Sequence, residues 1–443
     1  MSTKIMSKIL ITLFVGVSFL APDHAVAQTV FDNVTIHTMT AKGTIRRGRV
    51  IVEGDRIAAV GTTANLSIPP GAIVIDGTDR HLVPGLTEMH GHIPPLAGDR
   101  QDVEDVLFLY VARGVTTVRG MLGSPGQLGL KDQIASKQIM GPTLYLAGPS
   151  FSGSSVSSPA QAYERASRQA AEGWDLIKVH PGLTLAEYDA MVDAARTSSI
   201  RFAGHVPADV GIEHALDAGQ DTIEHMDGYL IWAGAQERPL TEAEMDRAAE
   251  MTLAAGAGIV PTNSIWQNLV APRPLEHYLS FDELKYMPVE VRSSWIRRHA
   301  DFLKGARENP NMAKHLDENR TKLLGGLWQR GVTVLMGSDA PQLFSVPGFS
   351  IHREISMMAL AGMTPEAILL AGTVNPGQYF SGEDAFGAIQ PGHRADLILL
   401  DADPMASSVN LGQQTGVMAR GMWLSAGEIK ARLDEIAQRN ANP

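Results

Sequence analysis

The chain has no cysteine among its 443 residues. That excludes a disulfide framework and a lipobox thiol to acylate. Cations are scarce too: 37 Lys and Arg stand against 48 Asp and Glu, a formal net charge of −11. Phosphate binding needs clustered cations, so nucleic acid is a poor partner. The short basic runs Arg46–Arg49 and Ile296–His299 read as solvated faces. The apolar run Ile9–Ala21 falls short of the about 20 residues that a bilayer span requires.

What is present begins with a leader. Lys4 and Lys8 precede that apolar run, and "AVAQ" (Ala25–Gln28) follows it. A basic start, a short apolar stretch and a small-x-small end predict a signal peptide over residues 1–27, cut after Ala27. The expectation is a soluble periplasmic or secreted protein with no stable membrane anchor after cleavage. Removing Lys4, Lys8 and Asp23 with the leader makes the chain one unit more acidic.

The remaining length accommodates a barrel of roughly 250 residues with a smaller module. Short β-rich runs broken by "EGD" and "AVG" follow the leader, and a second β-rich segment, "GAIQPGHRADLILLDADP" with "GVMARGMWLSAGEI", closes the chain. The two are expected to pair into one small sandwich, residues 28–84 with 386–430. Between them lie eight apolar runs: "HLVPGLTEMH", "VTTVRGM", "TLYLAGP", "DLIKVH", "RFAGHV", "DTIEHM", "GIVPTN" and "VTVLMGSD". Amphipathic or Ala-rich stretches separate most of them. In "LTLAEYDAMVDAARTSS" the residues Leu185, Tyr188, Met191, Val192 and Ala195 recur at helical spacing. Thr184 with Glu187 and Thr241 with Glu244 have capping-box spacing. Eight β/α units over 85–385 predict an α/β fold of the (β/α)8 TIM-barrel type, with an open doubly wound sheet as the competing arrangement.

Barrel enzymes carry their chemistry at the C-terminal strand ends. The polar residues that interrupt the apolar runs come late in each: His90 and His92, Lys178 and His180, His205, His225, and Asp339. Singly, each has a bland reading as a satisfied histidine, a turn aspartate or an ion-paired lysine. Jointly they form a constellation. His90-x-His92 puts two imidazoles on one side of a strand, because side chains alternate. Four imidazoles and a carboxylate suit Zn²⁺ or a similar divalent ion. A buried Lys178 needs a reason of its own, since an unpaired buried ammonium is costly. His180 reads as a solvated loop residue in preference to a pocket-mouth residue.

The motifs "LVPGLTEMHGH", "DLIKVH", "FAGHVP", "DTIEHMDG", "GSDAP" and "GHRADLILLDADP" resemble the amidohydrolase superfamily, in the branch of imidazolonepropionase-like proteins and prolidase-like dipeptidases. The resemblance spans nearly the whole mature chain. It implies a TIM barrel with a split β-sandwich, and two divalent metal ions, with zinc the expected element. His90, His92 and Asp339 would hold one ion, and His205 and His225 the other. Lys178 would be N6-carboxylated and bridge both. Asp339 would also be the catalytic general base. Homo-oligomers are common among such relatives.

Specificity is expected in three loops. Gly148–Pro159, "GPSFSGSSVSSP", carries Ser and Gly where many prolidase-like relatives have a "GGH"-type histidine. "HMDGYLIW" offers Tyr229 to a substrate carbonyl or phosphoryl oxygen, with aromatic packing the alternative. The long insertion 264–312, rich in aromatics, reads as a helical partial cover whose aromatics mostly form its own core. His352 and Glu354 are further candidates at the site's border, with helix capping the alternative. The function expected is an exported hydrolase of amide bonds in peptides or N-acyl amino acids. A lactone, cyclic amide or phosphotriester hydrolase could use the same site. A non-catalytic binding protein fits less well, because it has less need of Asp339 as a proton acceptor. In every case the partner is a small molecule.

Overall fold

A computed structural model describes residues 28–441. The expected signal peptide, 1–27, lies outside them. The strands in chain order are β1 (Thr29–His37), β2 (Thr44–Glu53), β3 (Arg56–Thr62), β4 (Ile73–Asp76), β5 (His81–Pro84), β6 (Leu86–Gly91), β7 (Val115–Gly120) and β8 (Thr143–Leu146). They continue with β9 (Leu176–Val179), β10 (Arg201–Gly204), β11 (Thr222–Glu224), β12 (Gly258–Val260), β13 (Thr333–Val334), β14 (Leu397–Leu400), β15 (Gln414–Ala419) and β16 (Met422–Ser425). Among the described residues, no helix is long and apolar enough to cross a membrane.

The fold is mixed α/β. The N- and C-terminal β-rich segments form one hydrogen-bonded sheet, ordered β16-β15-β14-β5-β1-β2-β3, with β4 beside β1. The seam between the two ends of the chain is the antiparallel β5–β14 pair, which runs from Leu397 opposite Pro84 to Leu400 opposite His81. Phe31, Val34, Ile36, Val50, Leu397 and Leu399 pack on one face of this sheet. Ile398 and Leu400, which point to the other face, join the large central core. The first apolar run of the sequence divides here: His81–Pro84 enters the terminal sheet, and the chain crosses at Gly85 into β6. A Cβ on Gly85 would stand 2.2 Å from Thr116 Oγ1.

All eight apolar runs of the middle region contain strands, and β6 to β13 pair with one another in parallel. They form two arcs, β6-β7-β8 and β9-β10-β11-β12-β13. Near-continuous burial along each explains their unalternating sequences, since both faces are covered. Backbone bonds pass between the arcs on both sides. Asp175 N donates to Leu146 O at 3.0 Å and Gly148 N to Leu176 O at 3.0 Å. On the other side Met89 N donates to Met336 O at 2.8 Å and Asp339 N to His90 O at 2.8 Å.

The helices follow their local signals. Leu185–Ser198 and Glu242–Ala255 both start on complete capping boxes, Thr184 with Glu187 and Thr241 with Glu244. The segment 264–312 is helical as expected. It spans parts of Asn263–Val270, Leu275–Leu279, Val289–Glu308 and Pro310–Gln329. Tyr278, Tyr286 and Trp295 are buried in one cluster with Leu343 and Phe344, so they are the core of this cover.

Gly204 sits where β10 meets its functional end. Its φ is +144°, and a Cβ there would stand 2.2 Å from the Val179 carbonyl oxygen. Gly204→Ala is therefore expected to lower stability by at least about 2 kcal/mol, read as a fall in thermal midpoint. An unchanged midpoint would show that β9 and β10 can separate at this level without cost.

Candidate active site

The late polar residues converge at the C-terminal ends of the parallel strands. His90, His225 and Asp339 offer ligand atoms that all lie within 4.8 Å of one another. His92 Nε2 is 2.6 Å from Asp339 Oδ1, and His90 Nε2 is 3.6 Å from the same oxygen. The His205 and His225 ring centroids are 4.3 Å apart, and those of His225 and His90 4.5 Å. Lys178 is fully buried, with Nζ 3.1 Å from His90 Nε2. All six residues expected to ligate metal are thus brought together.

Backbone conformation helps to aim them. His225 and Asp339 have φ of 62° and 61°, in the left-handed region that non-glycine residues avoid. The left-handed turn at His225 lets adjacent residues of one strand end, Glu224 and His225, both reach the cluster. Each such residue costs on the order of 1–2 kcal/mol, offset by packing around it. Gly337 lets the last strand cross His90 closely, because a Cβ there would stand 2.9 Å from the His90 nitrogen. Gly91 is tightly packed: its Cβ space is taken by the Tyr110 hydroxyl and the Glu88 side chain, at 2.8 and 2.9 Å.

The donor set suits a divalent metal ion. His90 Nδ1 donates to Glu224 Oε2 at 2.5 Å, His225 Nδ1 lies 2.7 Å from Thr262 Oγ1, and His205 Nδ1 lies 3.4 Å from Asp227 Oδ2. Because the Glu224 carboxylate accepts the Nδ1 proton of His90, that ring keeps a free lone pair on Nε2, the usual state of a ligating histidine. Burial, reinforced by neighbouring cations, holds His90 and His225 well below the usual imidazole range, so both are neutral. Burial also pulls Lys178 down to about 8, against the opposing pull of Glu224 and Asp339.

The residues beneath the cluster carry as much chemistry as the ligands. Glu224 accepts from Arg119 Nη2 at 2.7 Å and Thr222 Oγ1 at 2.5 Å besides His90. Arg119 also donates to the Met89 carbonyl at 2.7 Å. Glu88 receives Ser338 N at 2.7 Å and Ser338 Oγ at 2.5 Å, yet burial still pushes its carboxyl up to about 8. Burial alone would raise Asp227, but Arg320 and His205 outweigh it and hold the carboxyl below the usual range. Glu88 and Glu224 stand inside the motifs "LTEMHGH" and "DTIEHMDG". The signal that could have found them is spacing: Glu88 and His90, like Thr222 and Glu224, are two apart and share a strand face.

Other expectations land elsewhere. Tyr229 is buried with its hydroxyl 2.6 Å from Thr252 Oγ1, so it packs in the core and does not reach the cluster. His352 Nε2 bonds the Arg113 carbonyl at 3.2 Å, just before β7 begins and so at the opposite end of the strands from the ligands. Glu354 caps a helix, accepting from Asn263 N and Ser264 N at 2.9 and 2.7 Å. His180, expected in solvent, is half-buried with its ring 5.2 Å from His205. The Ser-rich loop 148–159 satisfies itself: Ser155 Oγ donates to the Ser150 carbonyl at 2.9 Å, and Arg165 ties down Pro149, Ser150 and Ser155. A cavity of about 410 Å³ opens beside His92, lined by Pro94, Leu122, Tyr286, Met287 and Val291 among others.

A cluster of imidazoles around one carboxylate, at the C-terminal ends of parallel strands, is a candidate metal site in an α/β fold. The amidohydrolase family model matches residues 81–424, and the chain belongs to that family, whose members are generally metal-dependent. It is a hydrolase acting on carbon–nitrogen bonds. An imidazolonepropionase from Streptomyces griseus subsp. griseus is 24% identical over 430 residues, 91% of this chain and 98% of the relative. A bottromycin amidohydrolase matches in fold with a TM-score of 0.73 and 22% identity, covering 94% of this chain and 91% of its own. A Xaa-Pro dipeptidase with bound methionine matches with a TM-score of 0.68 and 20% identity, covering 90% of this chain and 100% of its own.

Glu224→Gln leaves the buried Arg119 guanidinium without its counter-charge and weakens the hold on His90. The expected result is a loss of about 3–5 kcal/mol in stability and about 10- to 100-fold weaker metal retention, read by thermal unfolding and chelator competition. Parent-like values in both would remove Glu224 from this account.

Proposed function

We propose that the chain is an exported, metal-dependent amidohydrolase that cleaves an amide bond in a peptide or an N-acyl amino acid. The observation that carries this reading is the convergence of His90, His225 and Asp339 on one point at the strand ends. The two arcs of parallel strands are read as one (β/α)8 barrel with the terminal sheet as a split β module. The bonds from Met89 to Met336 and from Gly148 to Leu176 support that closure.

His90, His92 and Asp339 would hold one divalent ion and His205 with His225 a second, and the nitrogen-rich donors favour Zn²⁺. Lys178 would carry a carboxyl group on Nζ and serve both. The support is its full burial at the centre of the cluster, where an ammonium is costly. Bound ions supply Lewis acidity and bring the acidity of water towards neutral pH.

The chain's own groups do the rest. Asp339 accepts a proton from the water that adds to the carbonyl carbon. The carbon–nitrogen bond then breaks as Asp339 returns that proton to the departing nitrogen, leaving a carboxylic acid and an amine. Glu224 keeps His90 in one tautomer and orientation, and Thr262 anchors the His225 ring. The cavity beside His92, mostly apolar but with Asp102, Asp105 and Arg298 in its lining, offers space for a largely hydrophobic substrate group next to the scissile bond. A second reading, a cyclic amide as substrate, is favoured by the near full-length likeness to an imidazolonepropionase.

A hydrolysis screen over dipeptides, N-acyl amino acids, cyclic amides, lactones and phosphotriesters separates these readings. Turnover of the first two classes is expected. Turnover of cyclic amides alone would favour the second reading, and turnover of only lactones or phosphotriesters would overturn both. Asp339→Asn is expected to fold and to lose about 10²- to 10⁴-fold in kcat. Lys178→Ala is expected to retain fewer ions per chain, and a full complement would contradict the bridging role.

A further inference from the structure

We propose a second divalent-cation site, structural in role, formed by His37, His81 and Asp403 in the terminal sheet. It is separate from the active site, because His81 and His90 stand at opposite ends of one extended run through β5 and β6. The sheet topology assembles it from both ends of the chain. His37 ends β1, His81 begins β5, which runs parallel to β1, and Asp403 follows β14, whose Leu400 lies opposite His81.

The geometry points to a cation. His37 Nε2 is 3.0 Å from His81 Nδ1, and Asp403 Oδ1 is 3.6 Å from the first and 3.9 Å from the second. Ligands about 2.0–2.1 Å from a tetrahedral zinc stand roughly 3.3–3.4 Å from one another. The three observed separations bracket that value. The two rings are nearly parallel, with centroids 5.3 Å apart and an interplanar angle of 13°. Thr44 Oγ1 lies 3.3 Å from His37 Nδ1 and can accept its proton, which turns the Nε2 lone pair towards the cluster. Met405 N donates to Asp403 Oδ1 at 2.9 Å and orients the carboxylate. His37 is 3% exposed and His81 18%, while the Asp403 side of the cluster, 43% exposed, opens to solvent. A cavity of about 270 Å³ adjoins it, lined by Thr38, Thr40, Thr44 and Glu366 among others, with room for water as a further ligand.

Three acceptors aimed at one point repel unless a proton or a cation stands between them. A proton shared between the imidazoles satisfies two of them; a divalent ion with nitrogen and oxygen preference, such as Zn²⁺, satisfies all three. Bound there, it clips β1 and β5 to the segment after β14. This joins the N-terminal and C-terminal parts of the sheet beyond the β5–β14 ladder.

The test uses the full chain, stripped with a chelator and reloaded with Zn²⁺. The parent is compared with His81→Gln and Asp403→Asn, both at partly exposed positions. Each variant is expected to hold one zinc equivalent fewer than the parent and to lose part of the zinc-dependent rise in thermal midpoint. Variants that match the parent in zinc count overturn the proposal. Should either variant fail to fold, zinc-edge anomalous scattering from parent crystals decides. A peak between His37, His81 and Asp403 supports the site, and its absence from zinc-loaded crystals overturns it.

Discussion

Glu224 is the group on which the arrangement depends. Its carboxylate takes a guanidinium from β7, a hydroxyl from its own strand and the Nδ1 proton of His90 at the end of β6. All of this happens out of reach of water. A buried carboxylate is tolerable only when charge and hydrogen bonds compensate it, and a buried arginine likewise. Arg119 and Glu224 therefore require each other, and together they set the His90 ring in the cluster. Arg119 extends the same constraint to the Met89 carbonyl and to Tyr379. Most of the active end of the strands is thus referenced to one ion pair.

Much of this is legible in the sequence itself. Histidines late in the runs containing β6, β10 and β11, and Asp339 after β13, mark one end of a parallel sheet, because a run's last residues are its C-terminal end. His90 and His92 being two apart placed them on one face. The eight parallel strands and the pairing of the terminal segments followed from run spacing and from turn signals. What stayed hidden is what depends on partners far away in sequence. Glu224 and Arg119 read as ordinary strand residues until they are seen to face each other 105 positions apart. Tyr229 and His352 looked available because nothing in the sequence reveals Thr252 or the Arg113 carbonyl as partners. Left-handed backbone at His225 and Asp339 was equally invisible, since neither residue is glycine.

The two ends of the molecule solve different problems. At the C-terminal strand ends, strained backbone and buried charge are held in place by a rigid sheet, and the covering helices close their own aromatic core over Phe344. Largely apolar space is left beside His92, where a substrate group can be recognised by shape. The terminal sheet instead has to join residues more than 300 positions apart in sequence, which it does through the β5–β14 ladder and, we infer, through a shared cation.

The central claim is that the imidazole and carboxylate cluster works only with divalent ions in it. The direct measurement is amide hydrolysis by chelator-stripped protein before and after a divalent metal is restored, with the fold monitored throughout. The account predicts loss of more than about a hundredfold in rate on stripping, with the fold retained, and recovery on adding Zn²⁺ or a similar ion. Full turnover by protein shown to contain no metal would contradict it.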